Sequence, residues 1–150
     1  MSGDHVQPEE GPELRLDFTK CEVLQNMGVM PVVLQEMATR EVLMVGYMNE
    51  EALQISIAEG HVVLWSTSRN EIWHKGLLSG DGLIIREIRI NCEQNSLLIL
   101  VDKLGAGVCH TRGSDGVTRP TCFYRRLTKD GQLERLHEFD HWRSESLGPR

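Results

Sequence analysis

The chain reads as an α+β domain, mostly antiparallel β-sheet with one main helix. Three observations predict this. Leu83 to Cys92 alternates apolar and polar side chains over a strand's length, and shorter apolar runs lie on either side of it. Several of those runs are spaced as hairpins, joined by short polar turns. One segment, Asn49 to Gly60, carries both the start and the stop signal of a helix.

Taken in order, Leu14 to Phe18 alternates and is expected as a first strand. Met30 to Gln35 is a second, with Pro31 near its start, where a missing N–H does least harm. Glu41 to Met48 is a third, and the Ala38-Thr39-Arg40 link makes the two a hairpin. Asn49 is the expected N-cap, Glu50 and Glu51 suit the positive end of the helix dipole, and Gly60 is a natural stop. Leu53 and Ile57, four residues apart, predict its buried stripe. Val62 to Ser66 and Glu71 to Lys75 form the next expected hairpin, across the polar Thr67-Ser68-Arg69-Asn70 turn. Gly76, Gly80 and Gly82 punctuate a loop.

In the strand Leu83 to Cys92, alternation puts Ile84, Ile88, Ile90 and Cys92 on one face, with Ile85, Glu87, Arg89 and Asn91 on the other. Glu93-Gln94-Asn95 turns the chain into a strand over Ser96 to Asp102. Gly105 to Thr121 is a loop of unusual length, and such loops are typically functional or mobile. Phe123 to Leu127 and Leu133 to Leu136 are expected to pair around Asp130-Gly131.

One hundred and fifty residues make one domain with one core. The boundaries read as a flexible acidic segment over 1–13, the domain over 14–142 and a tail over 143–150. A net charge of −6 argues against nucleic acid or an anionic membrane as partner. Arg112, Arg119, Arg125 and Arg126 form a local basic cluster, which by itself describes a solvated face. The first residues lack the apolar core of a signal peptide, and no run is long enough to span a bilayer. The expected location is cytoplasmic, with the four cysteines reduced.

Three of those cysteines, Cys92, Cys109 and Cys122, fall within Asn91 to Phe123. None makes a short Cys-x-x-Cys pair, so a metal site here would have to be assembled by the fold. Three thiolates without a fourth partner suit a catalytic zinc, which keeps one position open. Buried cysteines acting as small hydrophobes are the commoner case, and on spacing alone that plain reading is favoured. Trp65 and Trp73 read as packing residues, and Cys21 stands outside every motif.

Taken together, several stretches resemble one family. Met44-Val45-Gly46-Tyr47-Met48-Asn49-Glu50-Glu51-Ala52-Leu53 is similar to the strand-to-helix signature of phosphoribosyl-AMP cyclohydrolase, an enzyme of the histidine pathway. Trp65-Ser66-Thr67-Ser68-Arg69, Trp73-His74-Lys75-Gly76 with Ser79-Gly80, Asn91-Cys92-Glu93, Gly105 to Thr111, and Thr121-Cys122-Phe123-Tyr124-Arg125-Arg126 follow in the family's order. Any one of these is common; together they are specific, and the likeness runs over about residues 28–136.

The resemblance implies hydrolysis of the N1–C6 bond in the adenine ring of phosphoribosyl-AMP by a homodimer with shared zinc sites. The ligands it implies are Cys92 from one subunit with Cys109 and Cys122 from the other. Zinc lowers the pKa of a bound water to about 7, which supplies a nucleophile at neutral pH. His110 is the implied proton carrier for the departing N1. Ser66, Ser68, Arg69, Lys75, Ser79 and Arg112 are the implied substrate-binding residues, arginine suiting phosphate because its fork reaches two oxygens.

The chain also departs from the family pattern. Where the family carries three aspartates of a magnesium site, this sequence has Asn91, Glu93 and Asn95. Three negative charges have become one, and magnesium binding depends on carboxylates. Gly113 to Val117 lengthens the loop, Thr67 stands where arginine is common, and Leu77, Leu78 and Asp81 replace polar or histidine positions. Two alternatives therefore stand beside the family reaction. One is a diverged paralogue hydrolysing a C–N bond in another purine-like nucleotide or heterocycle, and the other is a non-catalytic nucleotide- or zinc-binding protein.

Overall fold

The structure is a computed structural model that describes residues 12–14, 16, 24, 26–77, 79–109, 116 and 118–136. The chain divides into two units, residues 22–123 and residues 1–21 with 124–150. In the first, β1 (Met30–Glu36) and β2 (Val42–Met48) lead into α1 (Glu50–Glu59). The hairpin β3 (Val63–Ser66) and β4 (Glu71–His74) follows, then β5 (Leu83–Ile90) and β6 (Leu97–Lys103). The second unit holds the antiparallel hairpin β7 (Arg125–Leu127) and β8 (Leu133–Arg135). The α+β class and the predominance of antiparallel pairing are as expected. Most of the predicted first strand and both terminal segments lie outside the described residues.

Four strands form one sheet in the order β2-β1-β6-β5. β1 and β2 pair antiparallel through the expected hairpin, and so do β5 and β6. The pairing of β1 with β6 is parallel, with Val32 opposite Leu97 and Leu34 opposite Ile99. Their inward faces supply Val32, Leu34, Met44, Met48, Leu97, Ile99 and Val101, all buried in one apolar cluster.

Caps bound the helix where the sequence puts them. The Asn49 side chain accepts the Ala52 N–H at 2.8 Å, and Gly60, at φ 75°, donates its own N–H to Ser56 O at 2.8 Å. Its buried face is another matter. Ala52 and Ser56 are fully buried while Ile57 is 63% exposed, so the Leu53/Ile57 stripe is corrected to Ala52/Ser56, with Leu53 and Ile55 at its margins. Backbone proximity explains the choice. Ser56 Oγ lies 2.8 Å from Ala52 O and 3.0 Å from Val63 O, and accepts the Val63 N–H at 2.9 Å, so the helix sits against β3 at hydroxyl distance.

β5 also departs from strict alternation. Its register shifts between Ile85 and Glu87, setting Ile85 opposite Val101, Ile88 opposite Ile99 and Ile90 opposite Leu97. A bulge adds one residue and flips every later side chain. Ile84, opposite Asp102, is therefore not on the face of Ile88 and Ile90 as alternation predicts; Ile85 is. No helix among the described residues is long and apolar enough to cross a membrane.

Candidate metal and nucleotide site

The residues that carry chemistry gather around Lys75. Its backbone N–H reaches Val62 O at 3.2 Å, and the next residue, Gly76, turns the chain at φ 78°. A Cβ at Gly76 would stand 2.1 Å from the Gly82 nitrogen, so only glycine permits this crossing. From that fixed base the side chain spans to the long loop, where Nζ donates to Val108 O at 2.7 Å. Nζ also lies 5.6 Å from the centre of the Trp73 ring, within cation–π range.

Backbone contacts bring the two loop cysteines to the same place. Val108 N and Cys109 N both donate to Arg119 O at 3.2 Å, and a Cβ at Gly107 would meet that oxygen at 2.2 Å. The Cys109 segment therefore lies directly against the segment that runs on to Cys122. Cys122 N donates to Leu43 O at 2.8 Å, while Thr121 Oγ1 lies 2.8 Å from Val42 O and 3.0 Å from Leu43 O, tying this stretch to β2. Burial lowers the Lys75 pKa below its ordinary 10.5, and the negative charges of Cys122, Asp81 and Cys109 partly restore it. The ammonium thus senses both sulfurs. Asp81 is held in turn by Thr118 Oγ1, at 3.2 Å from Oδ2.

Cys92 is elsewhere. It sits exposed in the turn beyond the far end of β5, whereas Val62 N bonds Leu83 O at the start of that strand, beside Lys75. At about 3.3 Å per residue, β5 separates the two places by roughly 20 Å. Two sulfurs on one zinc, each about 2.3 Å from the metal, stand within about 4 Å of each other. One chain therefore cannot bring Cys92 to the same ion as Cys109 and Cys122. Among the described residues, no three metal-binding side chains converge within one chain. None of the three cysteines is in a disulfide.

The Cys92 turn also bears Asn91, Glu93 and Asn95, which are drawn together by the turn itself rather than by strand alternation. Asn91 Oδ1 accepts the Asn95 and Ser96 N–H groups, each at 2.9 Å. Asn91 Nδ2 donates to Asn95 Oδ1 at 2.6 Å, and Asn95 Nδ2 donates to Glu93 Oε2 at 3.3 Å. Gln94 closes the turn at φ 57°. Each of these oxygens already faces an N–H, and only one belongs to a carboxylate. This donor set does not fit magnesium, which is held through carboxylates.

The implied substrate residues fall into two groups. Arg69, Lys75 and Ser79 line one groove of 340 Å³, together with Trp73, His74 and Leu77. Ser66 supports Arg69, its Oγ accepting from both N and Nε at 3.3 Å, and Ser68 Oγ lies 3.4 Å from Ser66 Oγ. Glu71, also on the groove, stands 3.5 Å from Arg69 Nε. His110 and Arg112 lie outside the described residues, as does Leu78. Sequence reasoning missed Asp81 as a neighbour of Lys75; its flanking glycines, Gly80 and Gly82, were the available sign. Trp73 packs against the core as expected, and its ring also lies beside the Lys75 ammonium.

The chain is similar in sequence to known proteins of one family. The phosphoribosyl-AMP cyclohydrolase family model matches residues 44–124. A phosphoribosyl-AMP cyclohydrolase from Methylobacillus flagellatus is 42% identical over 104 residues, covering 69% of this chain and 75% of the relative. One from Methylococcus capsulatus is 46% identical over 105 residues, covering 70% and 77%. The histidine biosynthesis bifunctional protein HisIE of Haemophilus influenzae is 38% identical over 127 residues, covering 85% of this chain and 54% of that longer protein. The match spans α1, the Lys75 turn and all three cysteines, and the chain belongs to the phosphoribosyl-AMP cyclohydrolase family.

Proposed function

We propose that the protein opens the adenine ring of phosphoribosyl-AMP by hydrolysing the N1–C6 bond in histidine biosynthesis, as a zinc-dependent homodimer of the cytoplasm. The carrying observation is the separation of the cysteines. The charges of Cys109 and Cys122 both act on Lys75, and the Cys109 segment lies against the segment that leads to Cys122, while Cys92 is exposed about one strand length away, an arrangement that serves a single ion only if two copies each contribute. The residues that would hold zinc are Cys109 and Cys122 of one subunit and the cysteine at position 92 of the other. Three soft thiolate donors suit zinc and leave a position open.

Zinc, when bound, supplies a nucleophile at neutral pH by acidifying water. The chain's own residues do the rest. Arg69 and Ser79 on the groove, with Ser66 and Ser68 hydrogen-bonded beside Arg69, are the proposed phosphate ligands, joined by Arg112. His110, next to Cys109 in sequence, is the proposed carrier of the proton that N1 takes up as its bond to C6 breaks. The proposed reaction does not call on magnesium, which the Asn91–Asn95 turn does not fit.

An ultraviolet assay of ring opening on zinc-loaded protein tests this reading. Turnover that disappears on chelation and returns with zinc is the expected result, and Cys109→Ser should remove both zinc and turnover. A second reading, a different purine-like nucleotide, is favoured by Leu77, which is 73% exposed on the groove where the family pattern is polar. Zinc bound without turnover of phosphoribosyl-AMP would select it.

A further inference from the structure

Among the cations on the groove, Lys75 differs in where its charge is spent. Arg69 is exposed and paired with exposed Glu71. Lys75 is half-buried, and its Nζ makes a short bond, 2.7 Å, to a main-chain carbonyl across 33 residues of sequence. That carbonyl belongs to Val108, the residue before Cys109. An ammonium has three protons to give. One is on Val108 O, and Trp73 lies on another side. The charges that act on it are those of Cys122, Asp81 and Cys109.

This placement has two consequences. The Val108–Cys109 segment is held from both directions, by Arg119 O against its N–H groups and by Lys75 against its carbonyl. The base of the side chain is fixed as well, by the Val62 bond and by the glycine crossing at Gly76. A zinc held by three thiolates also carries one net negative charge, and burying uncompensated charge is costly. The Lys75 ammonium, on which the charges of both loop cysteines and of Asp81 act, supplies a positive charge to set against it.

We propose that Lys75 is a positioning residue of the two-cysteine half-site: it pins the Val108 carbonyl so that Cys109 faces Cys122, and it balances the charge of the thiolates. This rests on the zinc reading above. It assigns Lys75 to the metal rather than to the substrate's phosphate, which the family resemblance alone would suggest. Groups that orient metal ligands affect metal affinity by about 10–100-fold when removed.

The experiment uses full-length wild type with Lys75→Gln and Lys75→Arg. Zinc affinity is measured by competition with a chromophoric chelator, the thiolate absorption of the cobalt-substituted proteins is recorded, and KM is measured on zinc-saturated enzyme. Gln loses the charge, whereas Arg keeps it and changes the geometry of the pin. The expected order of zinc affinity is wild type above Arg above Gln, with the Gln variant about tenfold or more weaker. The cobalt spectrum is expected to change, and KM at zinc saturation to stay the same. If Lys75→Gln fails to fold, as judged by circular dichroism, the Arg variant decides: weakened zinc binding with unchanged KM supports the proposal. Wild-type zinc affinity with a raised KM would overturn it and make Lys75 a phosphate ligand. A wild-type protein that binds no zinc would instead remove the zinc reading itself, and the proposal with it.

Discussion

Thr121 offers a test of how the fold holds Cys122. Its hydroxyl is fully buried, has Val42 O and Leu43 O within reach at 2.8 and 3.0 Å, and accepts the Phe123 N–H at 3.0 Å. Thr121→Val keeps the shape and removes both bonds. Leu43 O keeps its bond from Cys122 N at 2.8 Å, so the principal orphan is the Phe123 N–H, and it is only partly buried. Leaving a buried donor unsatisfied costs about 1–3 kcal/mol. The extra buried methyl returns about 0.8 kcal/mol. A net loss of about 0.2–2 kcal/mol follows, toward the lower end because that N–H is only partly buried, or a fall in Tm of up to about 8 °C at about 2–4 °C per kcal/mol for a chain of this size.

The same variant should bind zinc more weakly, because one of the two ties between the Cys122 segment and β2 has gone. Urea and thermal unfolding of the metal-free protein measure the first effect, and chelator competition measures the second. Thr121→Ser is the control. It keeps the hydroxyl, and its zinc affinity should remain that of the wild type. An unchanged Tm together with unchanged zinc affinity in Thr121→Val would refute the reasoning, since it would mean that these bonds hold nothing in place.

Three further predictions concern the proposed shared site, the helix and the Cys92 turn. Cys92→Ser and Cys109→Ser should each be inactive alone, yet unfolding and refolding them together should restore roughly a quarter of the sites by random pairing into two-fold dimers; no recovery in mixtures shown to contain heterodimers would sink the shared site. Ser56→Ala should cost about 1–3 kcal/mol in urea unfolding, because the Val63 N–H, buried between helix and strand, loses its acceptor; a neutral change would mean that the helix does not depend on this hydroxyl. Asn91→Asp with Asn95→Asp sets carboxylates beside Glu93 and should create saturable binding of a manganese probe that the wild type lacks, read by electron paramagnetic resonance; equal binding in both proteins would contradict the amide-closed turn.

What the sequence by itself determined is local. Asn49 and Gly60 bound the helix because capping depends on a few adjacent backbone groups. The hairpins around Ala38-Thr39-Arg40, Thr67 to Asn70 and Glu93 to Asn95 form as read, because turn chemistry and alternation act between neighbours. The family motifs were legible in order for the same reason, residue by residue.

Tertiary structure decided the rest. Nothing near β1 announces its parallel partner β6, which follows much later in the chain. The bulge in β5 answers to register against β6, so alternation alone misplaced Ile84. The buried face of α1 is Ala52 and Ser56 because of how closely β3 approaches, a distance that hydrophobicity cannot report. Above all, Lys75, Cys109 and Cys122 come together through one lysine–carbonyl bond and a pair of contacts to Arg119 O, while Cys92 is carried to the other end of a strand. Each of these contacts ends on a backbone carbonyl, a group that every residue type possesses. The side-chain alphabet therefore leaves no record of them.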